Sequence, residues 1–194
     1  MSGRRTAVAA ALLSWLAAGP LPAEAFIPVL SDREVETALD VGAKAIAQEN
    51  FDEEWRVPLP DGAEIEVTTP FYRLAFAARK AAFKNEPLAD KDRQEAIDRG
   101  KGKIQLKVTM FGPTVDFARW YDPVLVAGRQ EIKVTFSQNE RTALKQPDGR
   151  FAARNIYVVP VDALPAKGTV TLVVRDRIAQ KEVFRSPIDL SKLR

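Results

Sequence analysis

The sequence predicts an α+β fold, a helical N-terminal segment packed on a C-terminal antiparallel β-sandwich, on three observations. Apolar residues recur at helical spacing within 31–48 and again within 70–85. After Lys103 the period changes to two and stays there, as it does in strands with one buried face. Residues 1–25 read as a secretory signal peptide, so the fold belongs to residues 26–194. The expected organisation is therefore a signal peptide at 1–25, a mainly helical segment with one short strand at 26–100, and the sandwich at 103–194.

Arg4 and Arg5 supply a short basic n-region, and Thr6 to Gly19 carries no charge. That uncharged run falls short of the ~20 apolar residues a membrane-spanning helix needs. Pro20 breaks it, and Ala23-Glu24-Ala25 has the small-x-small pattern of a cleavage site, which makes Phe26 the first mature residue. The expectation is an exported product, periplasmic or extracellular, with no stable membrane insertion after cleavage.

Ser31-Asp32-Arg33-Glu34 is a capping box for a helix reaching about Gln48. Its inward arc holds Val35, Ala38, Leu39, Gly42, Ala45 and Ile46. The Pro-interrupted run 51–62 predicts an extended loop ending in the turn Asp61-Gly62, pinned by Phe51 and Trp55. Alternation over 63–69 predicts a strand with Ile65 and Val67 inward. Thr69-Pro70 then caps and opens a second helix to about 85, whose apolar arc includes Phe71, Leu74, Ala75, Phe76, Ala78 and Phe83. Asp90 caps a third helix that stops at Gly100, where a left-handed residue is expected.

Ile104, Leu106, Val108 and Met110 alternate with polar residues, as do Ile132, Val134 and Phe136, and Val170, Leu172 and Val174. Pro147-Asp148-Gly149 punctuates a hairpin between 141–146 and 150–159. Arg175 to Gln180 links the strand at 169–174 to a last one at 181–186. The spacing of these strands over 103–194 resembles an immunoglobulin-like or fibronectin-like domain, a likeness of architecture that carries no functional residues.

Composition excludes much chemistry. The 194 residues contain no His and no Cys. Ser-His-Asp and Cys-His catalysis, disulfides, thiolate zinc and the usual His-rich metal sites are therefore out of reach. Export without disulfides suits a bacterial envelope protein. Loss of residues 1–25 removes two of 29 basic and one of 26 acidic side chains and leaves a formal charge of +2, which gives no reason to seek nucleic acid. No glycine-rich phosphate loop occurs, and neither a cofactor nor a metal is expected.

Carboxylate chemistry of the glycosidase kind is the enzyme class left open, with Asp116, Asp122 and Glu140 as candidate acid and base near Phe117, Trp120 and Tyr121. Trp120, Tyr121, Asn139, Glu140 and Arg141 are the candidate binding residues. Arg79 joins them because it projects among the apolar residues of the second helix, where it either pairs with a carboxylate across the helix–sheet interface or lays its stem on aromatics and reaches water or a ligand. Arg73, Lys80 and Lys84 share that helix's polar face. The leading expectation is a non-catalytic exported module that binds an envelope protein or glycan. A carboxylate-dependent glycoside hydrolase acting on cell-wall or exogenous polysaccharide, and an assembly subunit using an exposed sheet edge, are the alternatives.

Overall fold

The computed structural model describes Phe26 and residues 28–194; the signal peptide expected at 1–25 lies outside the described residues. Among the described residues the protein is mixed α+β and mostly β, with three α-helices and two antiparallel sheets: α1 (Asp32–Lys44), α2 (Pro70–Phe83) and α3 (Asp90–Gly100), then strands β1 (Arg56–Pro58), β2 (Glu64–Thr68), β3 (Lys103–Gly112), β4 (Tyr121–Ala127), β5 (Gln130–Lys133), β6 (Phe136–Gln138), β7 (Leu144–Lys145), β8 (Phe151–Pro160), β9 (Thr169–Asp176) and β10 (Lys181–Asp189).

The larger sheet runs β1-β2-β3-β8-β6, with β7 also on β8, and the smaller one β10-β9-β4-β5. The short strand expected among the helices is thus β2, which pairs with β3 from Glu64 opposite Thr109 to Thr68 opposite Gln105. One hydrophobic cluster joins the helices and both sheets. It includes Ala38, Leu74, Leu106, Tyr157, Leu125 and Leu172, all fully buried.

Local chemistry explains the elements. Ser31 and Glu34 close the predicted capping box reciprocally. The Thr69 side chain accepts from Tyr72 N–H with Pro70 in the first turn of α2. Phe51 and Trp55 are buried as expected, in an aromatic cluster with Phe71 and Tyr72. Gly42 lets α1 meet α2 at backbone distance, because a Cβ there would lie 2.0 Å from the Ala75 carbonyl oxygen.

Several expectations are corrected. Helix α1 ends at Lys44 rather than Gln48, which leaves Ile46 exposed. Phe76 and Phe83, placed in the inward arc of α2, are 46% and 74% exposed, because α2 packs against α1 and α3, and the buried side is the one holding Phe71, Leu74, Ala75 and Ala78. Ala89 occupies the N-cap of α3, with Asp90 its first helical residue and no side-chain cap. Gly100 is not left-handed; Gly102 is, with φ of 70°, and Gly100 serves close packing, a Cβ there meeting Pro70 at 3.0 Å. The single strand expected around 132–136 is two. The chain leaves the smaller sheet after Lys133 and enters the larger at Phe136, so Ile132 is buried while Phe136 is half exposed. The first hairpin strand shrinks to Leu144–Lys145.

Candidate functional site

The topology gathers the predicted residues at one end of the sheets. β3 leaves the larger sheet at Gly112 and β4 enters the smaller at Tyr121. The intervening stretch 113–120 is a run of turns held by Phe117 N–H to Thr114 O, Arg119 N–H to Asp116 O and Tyr121 N–H to Ala118 O. Two backbone bonds dock its neighbours: Ala143 N–H donates to Val115 O at 2.7 Å, and Arg177 N–H to Trp120 O at 3.1 Å. The loops 113–120, 139–143 and 177–180 therefore form one surface. Phe117 turns inward against Tyr121, ring centroids 5.9 Å apart, over Gly112, where a Cβ would sit 2.2 Å from the Phe117 ring.

Trp120 projects from this surface, 45% exposed. The guanidinium carbons of Arg119 and Arg177 lie 5.1 and 5.9 Å from its ring centre, a cation–π arrangement that sets two charges against the indole. Ile178 and Val115, also exposed, add apolar area on the same loops. Asp176 stiffens the β9–β10 turn, its carboxylate accepting from the N–H groups of Ile178 (2.8 Å) and Ala179 (2.9 Å).

Beneath Trp120 a polar network ties the sheets together. Asn139 donates its amide to the Tyr121 carbonyl at 2.7 Å and accepts from the Tyr157 hydroxyl at 3.2 Å. Glu140 N–H donates to the buried Asn155 side chain at 3.0 Å. Burial pushes the phenols of Tyr157 and Tyr121 above the usual range, Tyr157 the further. Both ends of the Asn139 amide are thus occupied inside the protein, and its part is to position the loop.

The remaining candidates separate. Arg141 is exposed on the 139–143 loop, Asp116 and Asp122 are exposed, and the Glu140 side chain is half-buried. The grooves between the helices and beside Trp55 are lined by none of these three carboxylates. Arg79 lies elsewhere, and among the described residues it pairs with no carboxylate. It donates Nε–H to the Ala45 carbonyl (2.9 Å) and Nη2–H to that of Gln48 (2.7 Å), with its charge 5.0 Å above the centre of Phe51. Ala45 is the C-cap of α1 and its carbonyl also accepts from Gln48 N–H at 3.1 Å, so Arg79 braces the turn that follows the helix, where a cation also complements the helix dipole.

Sequence reasoning missed β4 and the roles of Arg119, Ile178 and Arg177. The signal for β4 was present as the apolar run Pro123 to Ala127. Proline is confined to sheet edges and similar positions, and here β5 reaches only Val124, so Pro123 has a partner strand on one side alone, where proline is tolerated.

Among the described residues no group of three or more carboxylates could hold a metal ion, and no helix is long and apolar enough to cross a membrane. No protein-family model, curated protein or solved structure matches the chain.

Proposed function

We propose that this chain is an exported, non-catalytic binding module of the bacterial envelope, periplasmic or extracellular, that recognises a protein partner through the loop surface centred on Trp120. The observation that carries the reading is the exposed indole with the Arg119 and Arg177 guanidiniums against its ring and the exposed Ile178 and Val115 on the same loops. Trp and Arg dominate the energetics of protein interfaces, where a rigid aromatic anchor ringed by polar groups gives affinity at low entropic cost. The frame beneath is pre-ordered by the Asn139–Tyr121–Tyr157 ties and the capped β9–β10 turn, which reduces the ordering cost of association. A protein fits better than a glycan, because the exposed Val115 and Ile178 add aliphatic area on the same loops as an indole whose ring already carries two guanidiniums. The two-sheet body supports the immunoglobulin-like or fibronectin-like architecture in which end loops do the binding.

Export rests on the basic and uncharged runs of residues 4–19 and on the cleavage pattern at Ala23-Glu24-Ala25. The next residue, Phe26, is buried and donates its N–H to the Leu190 carbonyl at 3.4 Å, so cleavage after Ala25 would leave a chain whose first residue is packed.

The test is retention of envelope proteins and of purified cell-wall sacculi by immobilised residues 26–194, wild type against Trp120→Ala and Arg177→Gln. Loss of a hot-spot indole costs ~2 kcal/mol or more, roughly a thirtyfold drop in affinity, with the thermal midpoint unchanged because Trp120 is a surface residue. Retention of one protein that falls in this way supports the reading. Retention of sacculi alone, or of a protein indifferent to both substitutions, contradicts it.

A further inference from the structure

A second site lies in the helices. A groove of about 420 Å³ opens between α2 and α3, within the size range of small-molecule sites. Its floor is apolar, formed by Phe76, Ala77, Leu88 and Ala96. Its cations are Arg73, Lys80 and Lys84, with Arg99 drawn to Glu95 one turn away on α3. Arg73 departs from the solvated face that helical spacing assigns it. It is half-buried, and its Nε–H is enclosed with no hydrogen-bond acceptor among the described residues. An enclosed guanidinium donor without an acceptor leaves its desolvation uncompensated. Burial, with the neighbouring Arg99 charge, also pulls the Arg73 pKa down. The acidic residues at the rim, Glu86 and Asp92, leave that donor unpaired.

We infer that this groove binds a small amphiphile with an oxyanion head, its phosphate or carboxylate set against the Arg73 guanidinium that lines the groove and its apolar part lying on Phe76, Ala77 and Leu88. A guanidinium forks two N–H groups onto such a head, and Lys80 and Lys84 add charge at the mouth. The apolar floor separates this ligand from a bare anion.

Calorimetric titration of residues 26–194 with n-octyl phosphate, inorganic phosphate and octyl glucoside tests it, with Arg73→Met and Lys84→Gln beside the wild type. Octyl phosphate is expected to saturate one site and to weaken at least tenfold in Arg73→Met and a fewfold in Lys84→Gln, with inorganic phosphate binding at least tenfold more weakly than octyl phosphate. Without ligand, Arg73→Met should unfold at the same or a higher urea concentration than wild type, because no internal partner is lost. Octyl glucoside binding as tightly as octyl phosphate would overturn the role of the head, and inorganic phosphate binding equally well would overturn that of the tail. Absence of saturable octyl phosphate binding to the wild type, or a lowered urea midpoint in Arg73→Met, would overturn the site itself. Lys84 is exposed, so its variant keeps the test informative if Arg73→Met does not fold.

Discussion

At Arg79 a charge that sequence spacing places among apolar residues is satisfied by two backbone carbonyls and an aromatic face. Hydrogen bonds from charged groups contribute about 1.5–3 kcal/mol each when partly buried, less in solvent. Arg79→Met is therefore expected to lower the unfolding free energy in urea by about 2 kcal/mol, and Arg79→Lys, which keeps the charge and loses the fork, by about half of that. The tyrosines make a second prediction at this scale. The chain has three, and burial raises all of them, Tyr72 up to about 12. Their folded values lie above the unfolded value of about 10, so the stability they contribute is intact below pH ~10 and is lost as the pH rises towards 12. Ultraviolet titration of the native protein should show tyrosinate forming at higher pH than in the urea-unfolded chain, which titrates near about 10. Native titration near 10 would mean that the phenols are not enclosed.

Helix α1 against α2 shows how a single residue sets the spacing of elements. The Cβ of Gly42→Ala would meet the Ala75 carbonyl at 2.0 Å, backbone that cannot give way without moving a helix. Overpacking costs typically 1–3 kcal/mol and more against backbone, so Gly42→Ala should lose roughly 3 kcal/mol, read from chemical denaturation. A neutral outcome would show that the helices do not meet there. The elements most legible in the sequence are those whose signal is local. The Ser31–Glu34 box, the Thr69-Pro70 start and the alternation of Ile104 to Met110 depend on neighbours within a few residues, and each is present in the fold. What periodicity cannot say is how wide a neighbour's footprint is, which is why Phe76 and Phe83 fit the apolar arc yet stand in solvent. Nor can it say when a strand changes sheets, as the chain does between Lys133 and Phe136.

Across the whole molecule the helices, β1–β2 and the two sheets share one hydrophobic cluster. Trp120, Tyr121, Asn139 and Arg141 are legible as candidates because they lie in polar or aromatic runs. The surface they belong to is made by long-range pairing, Val115 to Ala143 and Trp120 to Arg177, which no local pattern encodes. That pairing also sorts them, turning Asn139 inward as a tie and leaving Trp120 outward with two arginines against its ring. The proposal therefore depends on position 120 being the point of contact. Site-specific photocrosslinking in the native host, with a benzophenone side chain at position 120 and a control at the half-exposed Phe136 of β6, measures this directly. A single protein adduct at 120 that is absent at 136 is the expected result. No adduct at 120, or the same adducts at both positions, would contradict recognition of a protein through the Trp120 surface.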